Sequence, residues 1–212
     1  CGKYVSSLVP HLATCVDDMA FFHAMVSKSN VHGPATFMQN TGFILPGFPS
    51  AGAWVSYALG SMSENLPEFV VLPDPRGMPP NGPANWSSGF LPASHQATSI
   101  RVGTPTPIHD LFPPKENGFI TEASEREGLA LLGKVNREYA EERGGDSRLE
   151  ARVASYEMAA RLQLSAPQVL DVGSESEATR KLYGLDDRRT ADMGERCLVA
   201  RRLVERGVRF VQ

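Results

Sequence analysis

Asn30-Val31-His32-Gly33-Pro34-Ala35-Thr36-Phe37-Met38-Gln39-Asn40-Thr41-Gly42 is the stretch whose interpretation decides the fold of this chain. A polar run, Ser27 to Asn30, leads into His32, and Pro34 follows two residues later. Proline suits the start of a helix, where its missing N–H would be unpaired anyway. The spacing predicts a short helix that begins near Gly33 and Pro34 and stops at Thr41 and Gly42, glycine being the usual helix terminator. Upstream, residues 19–26 form a mostly apolar run, expected as a strand buried on both faces. A strand, a tight turn and a helix would set His32 where free backbone N–H groups and the helix dipole favour an anion. That arrangement suits chemistry on a phosphate or sulfate ester. An imidazole in this place can act as a nucleophile, a general base or a metal ligand.

The segment resembles the sulfatase signature, in which a nucleophile is followed by any residue, Pro, a small residue and Arg, and then by a short helix closed by Thr-Gly. Here His32-Gly33-Pro34-Ala35-Thr36 leads to Thr41-Gly42, and Leu45-Pro46-Gly47-Phe48-Pro49-Ser50-Ala51-Gly52 follows. The chain as a whole is similar to an uncharacterised sulfatase-like family of the alkaline phosphatase superfamily. Four further blocks carry the likeness in order. They are Pro49 to Gly60 (PSAGAWVSYALG), Leu66 to Leu72 (LPEFVVL), Trp86 to Pro92 (WSSGFLP) and Ala200 to Val211 (ARRLVERGVRFV). The resemblance implies an α/β fold, a mixed sheet flanked by helices, and a divalent metal in the full-length protein. It further implies export, to the periplasm or the extracellular space, behind an upstream twin-arginine signal of the bacterial type.

The chain departs from the pattern at defined places. The slot for the sulfatase nucleophile holds His32, so formylglycine chemistry is excluded there, and the Arg slot holds Thr36. Val31 stands between Asn30 and His32, which the family pattern places side by side. The acidic first-strand motif and the later Trp-Asp-x-His, Glu-Phe-Gly-Arg and Gly-Arg-Asp-His motifs do not occur in these 212 residues. The expectation is therefore a single partial domain, residues 1–212, internal to a larger protein. It should hold no metal by itself, His32 being the one residue of the site set that could serve as a ligand.

Composition narrows the alternatives. With 42% hydrophobic and 21% charged residues, the chain matches an ordinary globular domain. A net charge of -3 offers no basic field for nucleic acid. No apolar run is long enough to span a bilayer. Cys1, Cys15 and Cys197 show no zinc-type spacing. Cys15 is expected buried in an N-terminal helix over residues 4–15.

Downstream, residues 53–59 read as a helix with Trp54, Val55 and Ala58 on one face. Residues 69–72 read as a core strand. Ten of the sixteen prolines lie between residues 73 and 114, too dense for regular structure. Residues 73–120 are read as an ordered loop over the mouth of the site, from which Trp86, His95 and Gln96 can face a substrate. Trp86 and Phe90 can equally anchor the loop on the body, and His109 beside Asp110 can be a loop hydrogen bond. Residues 121–165 read as a helical hairpin: the first helix is capped by Thr121 or Ser124 with a Leu129, Leu132, Val135, Tyr139 stripe. The second runs to Leu164 with Leu149, Val153, Tyr156, Ala160 and Leu164 inward. Short helices over 174–182 and 192–206 precede a strand at 208–211, an α/β crossover unit.

The leading expectation is a metal-dependent hydrolase of sulfate or phosphate esters, small or polysaccharide, with His32 catalytic and Asn30, Gly33, Trp86 and His95 binding substrate. The alternative is a non-catalytic relative that binds carbohydrate or envelope components. A third reading makes the aromatic loop a protein-interaction surface, with an exposed apolar patch as its signature.

Overall fold

A computed structural model describes residues 2–104, 107–108, 121–142 and 147–212, with some side chains of the 121–170 region left out. His109, Asp110, the Gly144-Gly145 stop and the Asp146 cap lie outside the described residues, as do the side chains of Leu149, Ala160 and Leu164.

The fold is α/β. Its sheet has three strands, β1 (Phe69–Val71), β2 (Thr98–Ser99) and β3 (Phe210–Val211), in the order β2-β1-β3. Both pairings are parallel, with Val70 opposite Thr98 on one side and opposite Val211 on the other. The sheet expected to be mixed is thus wholly parallel among the described residues. Central β1 is buried along its whole length. Its side chains alternate between two apolar layers, as the period of a strand requires. Val70 enters a cluster with Leu162, Ala166 and Val169 of α5 (Ser147–Leu170) and Val199 and Leu203 of α7 (Ala191–Glu205). Phe69 and Val71 point the other way, to Trp86.

That second face is covered by α3 (Ala51–Leu59), and the way it packs corrects the expectation. The helix buries Gly52, Ala53 and Ser56 and turns Trp54 and Tyr57 outward. A Cβ on Gly52 would stand 2.5 Å from the Phe69 ring. Small residues are buried because the helix lies so close to β1 that nothing larger fits.

Two N-terminal expectations fail. Residues 19–26 form no strand, and Phe22, Met25 and Val26 are exposed. The run is apolar, but no described strand pairs with it, and a lone strand leaves its backbone groups unsatisfied. The helix expected over 4–15 shrinks to α1 (Pro10–Ala13), and Cys15 is exposed. Pro10 has no N–H to extend a helix upstream.

The hairpin forms from α4 (Glu122–Glu142) and α5, tied by Arg137 to Glu157 at 3.2 Å. Thr121 and Ser124 cap α4 reciprocally, the Ser124 N–H donating to Thr121 Oγ1 at 3.2 Å and the Thr121 N–H to Ser124 Oγ at 2.9 Å. The α4 stripe is not core, however: Leu132, Val135 and Tyr139 are exposed, and so is Tyr156 on α5. α5 continues through Pro167 to Leu170, six residues past the predicted end, because its last turns bury Ala166 and Val169. The carbonyls at this end accept from buried Arg202, whose Nε donates to Val169 O at 2.9 Å and Nη2 to Gln168 O at 2.6 Å. Arg202 also meets Glu175 at 2.5 Å, and that pairing, with Arg201 second, holds the Glu175 carboxyl below its ordinary range. α6 (Glu177–Leu182) and α7 match their predicted spans within two or three residues. On α7, Leu198 and Leu203 are buried, whereas Cys197 and Val204 are exposed. The Pro-rich loop contains β2 and turns of 3-10 helix at Gly82–Trp86 and Ala93–His95. Trp86 takes the anchoring role at 4% exposure, while Phe90 points out at 65%.

Candidate functional site

Helix α2 (His32–Thr41) forms where the pattern placed it. His32 is its first residue and Pro34 its third. Both fall among the first four N–H positions, which have no intrahelical acceptor, so proline does no harm there. Val31 is the extended cap residue, and its carbonyl accepts the Ala35 N–H at 2.9 Å. At the other end Gly42 takes the left-handed φ of 83° that closes the helix. The His32 ring is exposed, with no hydrogen-bond partner among the described residues. Asn30 is exposed two residues upstream.

Both ends of α2 are tied to the body. Asn81, itself left-handed at φ 69°, donates through Nδ2 to Gly33 O at 2.8 Å. Gln212 donates to Asn40 Oδ1 at 2.6 Å. These two ties bring the helix beside a cleft of about 530 Å³. The cleft opens beyond the carboxyl ends of β1 and β3, between Leu72, Asp74, Arg76, Pro79, Trp86 and Gln212. In parallel α/β sheets this is the customary place for a ligand. His32 does not line the cleft. It stands at the far end of α2, about 12 Å from Asn40 at 1.5 Å per residue.

Charge in the cleft is organised around Asp74. Arg76 grips it with Nε at 2.9 Å and Nη2 at 2.6 Å, a bidentate pair. This bonding holds the Asp74 carboxyl far below its ordinary range and raises the guanidinium of Arg76 in turn. Arg196 reaches in from α7, with Nη1 3.5 Å from Pro73 O and 4.0 Å from Asp74 Oδ1. Its Nη2 bonds Asp192 at 3.1 Å, and its buried Nε has no hydrogen-bond partner.

A second polar constellation joins α3 to the Pro-rich loop. The Ser56 hydroxyl donates to the Glu68 carboxylate and lies 2.8 Å from His95 Nδ1. His95 Nδ1 is 3.6 Å from the same carboxylate, and its ring meets Tyr57 edge-on at 5.4 Å. The three residue types are those of a hydrolytic triad, but the order is wrong. In a triad the base stands between the nucleophile and the acid. Here base and acid converge on one hydroxyl, and Ser56 is 1% exposed. The cluster is a fastening for the loop.

The predicted site residues are therefore scattered. Gly33 and Trp86 fall on adjoining elements beside the cleft, Trp86 as part of its wall. His95 lies on the α3 side, bonded to Ser56. Sequence reasoning missed Asp74, Arg76, Arg196, Ser56 and Glu68. Asp74-Pro75-Arg76-Gly77 carried a turn signal. The other three are brought in by long-range packing that no local pattern encodes.

Residues 1–212 match the family described as "Protein of unknown function (DUF1501)". The chain belongs to the DUF1501 family. No curated protein and no solved structure matches it. Among the described residues of this DUF1501 domain, no three or more His, Cys, Asp or Glu side chains gather to hold a metal ion. The described residues thus do not fit the divalent metal that the sulfatase resemblance implies. No helix among them is long and apolar enough to cross a membrane.

Proposed function

We propose that this DUF1501 chain is part of an exported, sulfatase-like hydrolase that acts on sulfate or phosphate esters. The observation that supports it best is α2. The segment picked out by its His-x-Pro and Thr-Gly spacing folds as a helix with an exposed imidazole at its amino end. The free N–H groups of the first turn favour an oxyanion there. In this reading His32 is the base or nucleophile, Asn30 and Gly33 flank the ester, and the cleft takes the rest of the substrate. Metal ligands, where the reaction uses them, come from outside the described residues.

The test is hydrolysis of aryl sulfate and aryl phosphate by the protein and by its His32→Ala variant. Loss of a general base typically costs on the order of 100-fold or more in rate. Equal rates in the two proteins would remove His32 from the chemistry.

One observation favours the alternative, a carbohydrate- or envelope-binding protein without turnover. The His32 ring has no carboxylate or hydroxyl partner to orient it among the described residues, and bases in catalysis are commonly held by such a group. Ester binding that survives in His32→Ala, with no turnover in either protein, would decide for this reading.

A further inference from the structure

We propose that the charge-poor aromatic face formed by α3 and the Phe90 loop is the surface through which two copies of this chain associate. Ring contacts show that the face is continuous. Phe43 stacks on Phe48 at 3.8 Å, Phe48 meets Phe90 at 6.4 Å, Phe90 meets Trp54 at 5.8 Å, and Trp54 meets Tyr57 at 6.2 Å. Phe43, Trp54, Tyr57 and Phe90 are 43–65% exposed. They are held outward by construction. Gly52 allows α3 no larger inward residue, and Ser50 fixes the Phe90 loop through its N–H to Ser87 O at 3.1 Å.

Three observations favour a second copy as the occupant. The first is charge. No Asp, Glu, Lys or Arg occurs between Lys28 and Glu64, and the one ion pair at the edge of the face, Glu68 with His95 beside Tyr57, is mostly buried. A two-fold contact sets each residue near its own duplicate, so any charge at the centre would meet its like. The two other exposed apolar tracts, around residues 4–26 and along α4, carry charges of their own. The same lack of charge disfavours nucleic acid and anionic membrane, which need basic residues.

The second is relief. Phe90 and Tyr57 each stand at 73–79° to Trp54, so the surface is ridged. Ridged aromatic surfaces interlock with side chains of similar shape, and aromatic, charge-poor centres mark protein interfaces. The third is area. At about 150–250 Å² per aromatic side chain, the exposed parts of these four rings offer about 300–500 Å². That is about half of the roughly 800 Å² per partner of a standard interface.

The inference does not depend on the ester-hydrolase reading. Light scattering and sedimentation across a concentration series test it. The chain should run as a dimer. Phe90→Asp sets two carboxylates against each other across the axis and should weaken association on the order of 100-fold, with the far-ultraviolet circular dichroism unchanged. Mixing Phe90→Asp with Phe90→Lys should restore the dimer. Leu182→Asp, at an exposed site on α6, should leave it intact. If Phe90→Asp does not fold, Tyr57→Ser replaces it, with dissociation again expected. A monomeric wild type, a dimer indifferent to either substitution, or a graded series of larger species would overturn the proposal. So would a monomer that instead binds a soluble neutral polysaccharide.

Discussion

Two apolar regions of this molecule have opposite fates. Around β1, the side chains Val70, Leu162, Val169, Val199 and Leu203 are withdrawn from water between the sheet and two helices. Between residues 43 and 62, Phe43, Leu45, Trp54, Tyr57, Leu59 and Met62 are exposed. Hydropathy does not separate them. The difference is the size of the residue turned inward. α7 meets the sheet with Val199 and Leu203, whereas α3 meets it with Gly52, Ala53 and Ser56. A helix that packs through small residues comes closer to its neighbour and leaves its large residues outside. Burial thus follows from which partner each face has. An apolar side chain without one stays in water, at a cost of about 25 cal/mol per Å² relative to burial.

The contrast can be broken first where it is strongest. Leu203→Ala removes a 1%-exposed side chain from the middle of the core and should cost about 2–5 kcal/mol in a denaturant titration. A cost below ~1 kcal/mol would mean the α5–sheet–α7 layer is loosely packed. Gly52→Ala tests the close approach of α3. The new methyl would meet the 2%-exposed Phe69 ring, which has no room to turn away, so a loss of about 1–3 kcal/mol is expected. A neutral result would show that α3 lies further from β1.

A smaller effect depends on pH. Arg202 and Arg201 hold the Glu175 carboxyl below its ordinary value, so the stabilisation is complete above the unfolded value of about 4.3. It is lost as pH falls through the lower folded value. Melting temperatures of the wild type and Glu175→Gln should therefore differ at pH 7 and converge in acid; parallel curves would refute the assignment. The smallest effect belongs to the exposed face. Leu45→Ser should shift the folding stability of the dissociated chain by no more than about 0.5 kcal/mol, since its side chain is already in water. A larger loss would place Leu45 in a core.

Much of the helical framework was legible from spacing and terminators. α2, α3, α6 and α7 lie close to their predicted spans because glycine, proline and capping residues act within one or two turns of where they stand. β1 was legible as a short run of buried apolar residues. The strand at 19–26 and the long N-terminal helix were not there to be found. Their residues have the composition of a core, but the described fold provides no neighbouring strand or helix face to pack on. The candidate site was legible only at α2 and at Trp86. The Asp74–Arg76 pair with Arg196 joins residues more than a hundred positions apart, and the Ser56–His95–Glu68 cluster spans three elements.

By itself, then, the sequence determined where α2, α3, α6 and α7 lie, which segment is the central strand, and that His32 heads a helix, all consequences of forces between near neighbours. Only tertiary structure decided which face of α3 turns inward, that Trp86 is a wall of the cleft rather than a free platform, and where Arg196 is left with an unpaired donor. Those outcomes depend on how closely distant surfaces can approach, which a linear pattern does not record.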